Sequence, residues 1–194
     1  MTVIASIVEG DGEVAALPIL LRRIGEWRSP GKAFTILPPI RVRRDRFINR
    51  EDEFCRVLQL AASKCGVSGW ILVLLDADDD CPAELGAQIL ARAQAIIPHR
   101  RVSVVFANRE YEAWFLASAA SLNGFREFVF EYPENFDPER PRNAKGWLGK
   151  RMQSGTYREI TDQPAFSAKL DLGQAIENSR SFRKLCSEWS KQMP

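Results

Sequence analysis

Trp70-Ile71-Leu72-Val73-Leu74-Leu75, running without a break into Asp76-Ala77-Asp78-Asp79-Asp80, is the stretch on which the reading of this chain turns. An unbroken apolar run with β-branched members suits a strand covered on both faces, as in a parallel sheet. Residues 3–8 and 102–106 have the same character, and none of the three runs alternates cleanly. Helical spacing fills the intervals between them. Within residues 51–64, Phe54, Val57, Leu58, Ala61 and Ala62 fall at i, i+3 and i+4; Leu85, Ile89, Ala93, Ile96 and Ile97 repeat the pattern until Pro98 stops it. Residues 14–27 read as the first helix, with Pro18 near enough to its start to be tolerated. Residues 34–42 read as an edge or bent strand, because Pro38-Pro39 cannot donate to a ladder. A helix from about Glu110 to Ser121 follows the third run, with Asn108 as its N-cap and Gly124 as its stop.

This order of elements predicts an α/β fold: a Rossmann-like, mostly parallel sheet, doubly wound and flanked by helices through right-handed crossovers. Past Phe130 the character changes. Residues 132–142 are rich in Pro, Asn and charge and read as a loop, followed by short helical pieces at 145–152, 166–170, 172–177 and 181–191. The expectation is one domain, with a core at 1–130 and a loop and C-terminal helical extension at 131–194 packed on it.

A chain of 194 residues with 45% hydrophobic and 27% charged residues has the size and balance of one globular domain. Its apolar runs are too short to span a bilayer, and its first residues show neither a basic stretch nor a cleavage site, which predicts a cytoplasmic protein. Cys55, Cys65, Cys81 and Cys186 form no C-x-x-C pair, so reduced thiols are expected rather than a zinc site or disulfide framework. A net charge of +2 leaves any nucleic-acid argument to local patches.

In open parallel sheets the binding crevice lies outside the carboxyl ends of the strands. The first run is followed by Glu9-Gly10-Asp11-Gly12-Glu13, the second by Asp76 to Asp80, and the third by Asn108-Arg109-Glu110-Tyr111-Glu112 after Ala107. Carboxylates brought close together stay ionised only when cations compensate them. A hard divalent ion such as Mg²⁺ suits oxygen ligands of this kind. Asp76 and Asp78 are two residues apart, so their side chains share a direction if the strand continues. Gly10 and Gly12 would allow a sharp turn, placing Glu13 in the first helical turn facing the same crevice. The competing account is a solvated acidic loop, with Asp79 or Asp80 capping the next helix.

Glu9-Gly10 after the first strand and Asp76-Ala77-Asp78 after a later one resemble the Toprim domain of topoisomerases, primases and OLD-type nucleases, over about residues 2–121. The resemblance implies that Glu9, Asp76 and Asp78 bind Mg²⁺ (or Mn²⁺) and that Glu9 shuttles a proton. It also matches Glu13 to the extra acid of OLD-type nucleases, and makes Lys145 the candidate for stabilising phosphate charge. Glu110-Tyr111-Glu112-Ala113-Trp114-Phe115 and Ser179-Arg180-Ser181-Phe182 resemble a small stand-alone Toprim-like family of unknown function, often encoded beside an ATPase. Two departures stand out. Asp79-Asp80-Cys81-Pro82 occupies a position where the Toprim pattern usually has glycine, and the topoisomerase tyrosine domain has no counterpart.

The expected activity is a divalent-metal-dependent nuclease, on DNA rather than RNA, acting as effector of an ATPase-linked defence or DNA-processing system. Glu13, with Asp80 or Glu112, would place a second ion or the attacking water. Arg41, Arg43, Arg44 and Arg46, with Arg50 nearby, would either grip phosphates or form a solvated edge. The alternative is a catalytically silent module that docks on an ATPase partner. His99 has no neighbours for nucleophilic catalysis, and there is no P-loop. Trp114 and Phe115 are expected in the core.

Overall fold

The computed structural model describes residues 1–131 and 136–193; the first four residues of the expected loop, and Pro194, lie outside the described residues. One sheet is built from β1 (Thr2–Val8), β2 (Phe34–Ile36), β3 (Ile40–Arg41), β4 (Trp70–Asp76) and β5 (Arg101–Ala107). The order is β2-β1-β4-β5, and every pairing is parallel. β2 pairs with the first half of β1, and β3 with Ile7 and Val8 at its end. The two are halves of a single edge broken at Pro38-Pro39, where proline withholds its N–H.

The strand residues alternate between two cores. Ile4, Val8, Trp70, Leu72, Leu74 and Val105 face one; Ala5, Ile7, Ile71, Val73, Leu75, Val104 and Phe106 face the other. Both faces are buried, which is why the runs carry no polar alternation. Helix α1 (Asp11–Arg28) returns the chain to β2 on one side of β1. After α2 (Arg44–Asn49), helix α3 (Glu51–Cys65) leads the opposite way to β4, and α4 (Pro82–Ile96) leads on to β5. Crossovers of one hand running in opposite directions cover opposite faces, so α1 lies on one side of the sheet and α3 and α4 on the other.

The face that carries α1 would be bare over β4 and β5. It is covered by α5 (Ala113–Ala117), α6 (Ala119–Leu122), α7 (Ala144–Gly149), α8 (Glu159–Lys169), α9 (Leu172–Asn178) and α10 (Arg180–Gln192), which contribute to the same core. Trp189 of α10 stands edge-on to Trp70 at 5.7 Å and to Phe34 at 5.1 Å. Ser103 Oγ of β5 donates to Glu188 Oε2 at 2.7 Å. Trp114 and Phe115 are buried in this layer, and Trp114 Nε1 donates to Ser181 Oγ at 2.9 Å.

Several boundaries differ from the sequence expectation. α1 begins at Asp11, so Pro18 lies two turns inside it, tolerated because the helix buries a continuous apolar face. Helix α2, beyond the end of the expected strand at 34–42 and not anticipated from the sequence, forms because Phe47 packs on Phe54 at 4.9 Å. Asn108 caps no helix; its N–H is taken by Ser181 Oγ at 3.1 Å, and α5 starts only at Ala113 and breaks at Ser118. α8 begins at Glu159 rather than 166, because the buried Asp162 carboxylate accepts the Arg158 N–H at 2.7 Å and pairs with Arg126 at 2.8 Å. Among the described residues no helix is long and apolar enough to cross a membrane.

Candidate functional site

β1 sends the chain to one side and β4 to the other, so the crevice of this sheet opens between their carboxyl ends. Glu9 follows β1, Asp76 closes β4, and the loop after β5 delivers Glu112. Asp76 Oδ1 accepts the Tyr111 N–H at 2.8 Å. Burial, then the charges of Glu13 and Glu112, hold the Asp76 carboxyl well above the usual range, against the pull of Lys145 and the Tyr111 amide. Glu112 is 0% exposed and is pushed up to about 8 by burial, with Lys145 opposing. Its Oε1 accepts from Tyr157 Oη at 3.1 Å and from Gln163 Nε2 at 3.3 Å. Its Oε2 is buried with no partner among the described residues.

Glu13, buried in the first turn of α1, accepts the Gly10 N–H on Oε2 and Gln163 Nε2 on Oε1, the latter at 3.3 Å. Lys145 bonds Glu159 at 3.1 Å, while its backbone N–H goes to Glu110 Oε2 at 3.1 Å. Burial works against the Lys145 charge, but Glu112, Glu159 and Asp76 outweigh it and raise its pKa.

The two aspartates do not act as a matched pair. The strand ends at Asp76, and Asp78 turns into the left-handed region at φ +51°, so the shared direction expected from strand geometry is lost. Its N–H bonds the carbonyl of Arg109, itself at φ +64°. Non-glycine residues in that region carry strain, and here two are linked across the ends of neighbouring strands. Asp78 is 63% exposed and lies 3.5 Å from Arg44. Its charge acts on Glu9, whose carboxyl is raised by burial, then by Asp78 and Glu13, against Arg44. Asp76, Glu13, Glu112 and Lys145 thus form an inner group, Glu9, Asp78 and Arg44 an outer one, and Glu13 acts on both.

Three of the four arginines pair with acids of the protein, and only Arg44 turns inward. Arg44, whose side chain is only 11% exposed, donates Nε to the Asp76 carbonyl at 2.8 Å and Nη2 to the Ala77 carbonyl at 3.3 Å, and pairs with Asp80 at 2.5 Å. Arg41 pairs with Asp11 at 2.9 Å and bonds the Glu9 carbonyl; Arg46 pairs with Glu53 at 2.9 Å. Arg43 sits exposed just before α2. Asp79 pairs with Arg109 and Arg142.

The glycines serve close approach rather than a turn. Gly10 has an ordinary φ of −91°, but a Cβ there would lie 2.6 Å from Glu13 Oε2. A Cβ on Gly12 would lie 1.9 Å from Gln163 Oε1. Tyr157, Glu159 and Gln163 were not among the sequence candidates. The only local signal was the four-residue spacing of Glu159 and Gln163, which places them on one helix face.

The acids gathered here offer oxygen donors, and Glu112 Oε2 has no partner among the described residues, so their donor chemistry suits a hard cation. As the side chains stand, no three Asp, Glu, His or Cys among the described residues form a ready cage for a metal ion. No curated protein and no solved structure matches the chain. Residues 8–189 match the family model described as domain of unknown function (DUF4276), and the chain belongs to that family.

Proposed function

We propose that the protein is a Mg²⁺- or Mn²⁺-dependent nuclease of Toprim type, hydrolysing phosphodiester bonds in nucleic acid. The observation that carries this reading is the convergence of acids from separate strand ends, where burial first and the charges of neighbouring acids second hold Asp76, Glu9 and Glu112 above the ordinary carboxyl range. Mutual repulsion of this kind is relieved by a divalent cation. An ion seated between the inner and outer groups would draw on Glu9, Asp76 and Asp78, with Glu13 and Glu112 holding a second; bound there, such an ion would supply Lewis-acid stabilisation of phosphate charge. Lys145 adds a positive charge beside the inner acids. Raised acids must lose protons to become ligands, so metal affinity should climb with pH. The test is incubation of supercoiled plasmid with Mn²⁺ and either wild type or Asp76→Asn. Wild-type cutting abolished by the substitution and by EDTA is expected; equal cutting by both proteins rules this site out.

A second reading is a module that docks on a partner, such as the ATPase the sequence resemblance implies. A mainly apolar groove of about 530 Å³ between α4, β5 and α10, lined in part by Leu90, Val104, Phe106 and Lys184, favours it. Co-purification that survives Asp76→Asn but fails with Phe106→Glu would support docking independent of the acids.

A further inference from the structure

Resting on the metal-dependent reading, we propose that Gln163 is a positioning residue whose carboxamide ties Glu13 to Glu112 and so sets the inner acids for the cation. Its single NH₂ group reaches Glu13 Oε1 and Glu112 Oε1, each at 3.3 Å. One amide nitrogen carries two hydrogens, so each acid receives one. The two oxygens, from α1 and from the turn before α5, are held within two hydrogen-bond lengths of each other. Tyr157 donates to the same Oε1 of Glu112, which concentrates both donors on one oxygen and leaves Oε2 for a ligand.

The amide works against packing where it sits. Gln163 is 0% exposed, and its Oε1 has no donor among the described residues. A buried acceptor without a partner opposes folding; a leucine or methionine would fill the space without it, giving up in exchange the bonds to Glu13 and Glu112. The groove in which the amide lies exists because Gly12 has no side chain. A neutral donor also suits a positioning role, because it orients two carboxylates without supplying the positive charge that would compete with a metal. Through Gln163, α8 of the C-terminal extension becomes part of the site.

The test uses the full chain, with Gln163→Leu, Gln163→Met and Gly12→Ala, reading Tm and Mn²⁺ binding by calorimetry. Groups that orient metal ligands are worth 10- to 100-fold in affinity. The expected result is Mn²⁺ affinity lower by roughly 10-fold or more in all three variants, with the two Gln163 variants still folding cooperatively, because relief of the unpaired Oε1 offsets part of the hydrogen bonds lost to Glu13 and Glu112. Wild-type affinity retained in Gln163→Leu and Gln163→Met would reduce Gln163 to a packing residue while leaving the nuclease reading intact. Unfolding of both would also overturn the proposal, since the amide would then be a stabilising element. No Mn²⁺ binding by wild type removes the metal-dependent reading and this proposal with it.

Discussion

Replacing Glu112 by glutamine isolates the cost of burying an acid at the heart of the site. The Glu112 carboxyl rises from an ordinary 4.5 to about 8 in the folded protein. Below pH 4.5 it is neutral whether the chain is folded or not, and there is no penalty. As pH rises the unfolded chain ionises freely while the folded one retains its proton, so stability falls until about pH 8 and then levels off. At about 1.4 kcal/mol per pKa unit the whole effect approaches roughly 5 kcal/mol, of which about 2.5 kcal/mol accrues between pH 5 and 7. A glutamine at this position imitates the neutral acid and keeps the oxygen that accepts from Tyr157 and Gln163. Urea unfolding in EDTA at pH 5, 6, 7 and 8 should show Glu112→Gln gaining on wild type by about 2.5 kcal/mol from pH 5 to 7, or about 5–10 °C in Tm. A stability difference that stays constant across that range would show that Glu112 is not held neutral, and the reasoning would be wrong.

Arg44→Ala removes two carbonyl contacts and the countercharge of Asp78 and Asp80, and should cost about 1–3 kcal/mol in urea unfolding. Arg44→Lys should recover only part of this, because an ammonium cannot fork between the Asp76 and Ala77 carbonyls. Gly25→Ala would set a methyl 2.3 Å from the Phe34 ring and 2.8 Å from Trp189, so the same assay should register about 1–3 kcal/mol of overpacking. With a thiol reagent at pH 8, exposed Cys81 should react first. Cys186, buried and with its thiol pushed up to about 12, should react only on unfolding; early labelling of Cys186 would contradict the packing of α10.

Strands β1, β4 and β5 were legible because burial on both faces demands unbroken apolar runs, and such runs are visible in residues 3–8, 70–75 and 102–106. The placement of Glu9 and Asp76 followed from the same signal, since an abrupt change from apolar to acidic marks where a buried strand surfaces. Helices α3 and α4 were legible from their spacing. Helix α2 was not, because six residues carry too little period and Phe47 alone anchors it.

The sequence by itself determined a parallel sheet whose strand ends bear acids, because apolar periodicity and its interruptions are local properties of the chain. Tertiary structure decided how those acids divide. Asp78 joins Glu9 and Arg44 because the backbone leaves the strand at Asp76. Glu13 and Glu112 meet over Gln163, which is 150 residues from the first and 51 from the second. No periodicity reports a contact at that separation, for it exists only once α8 has packed against the start of α1.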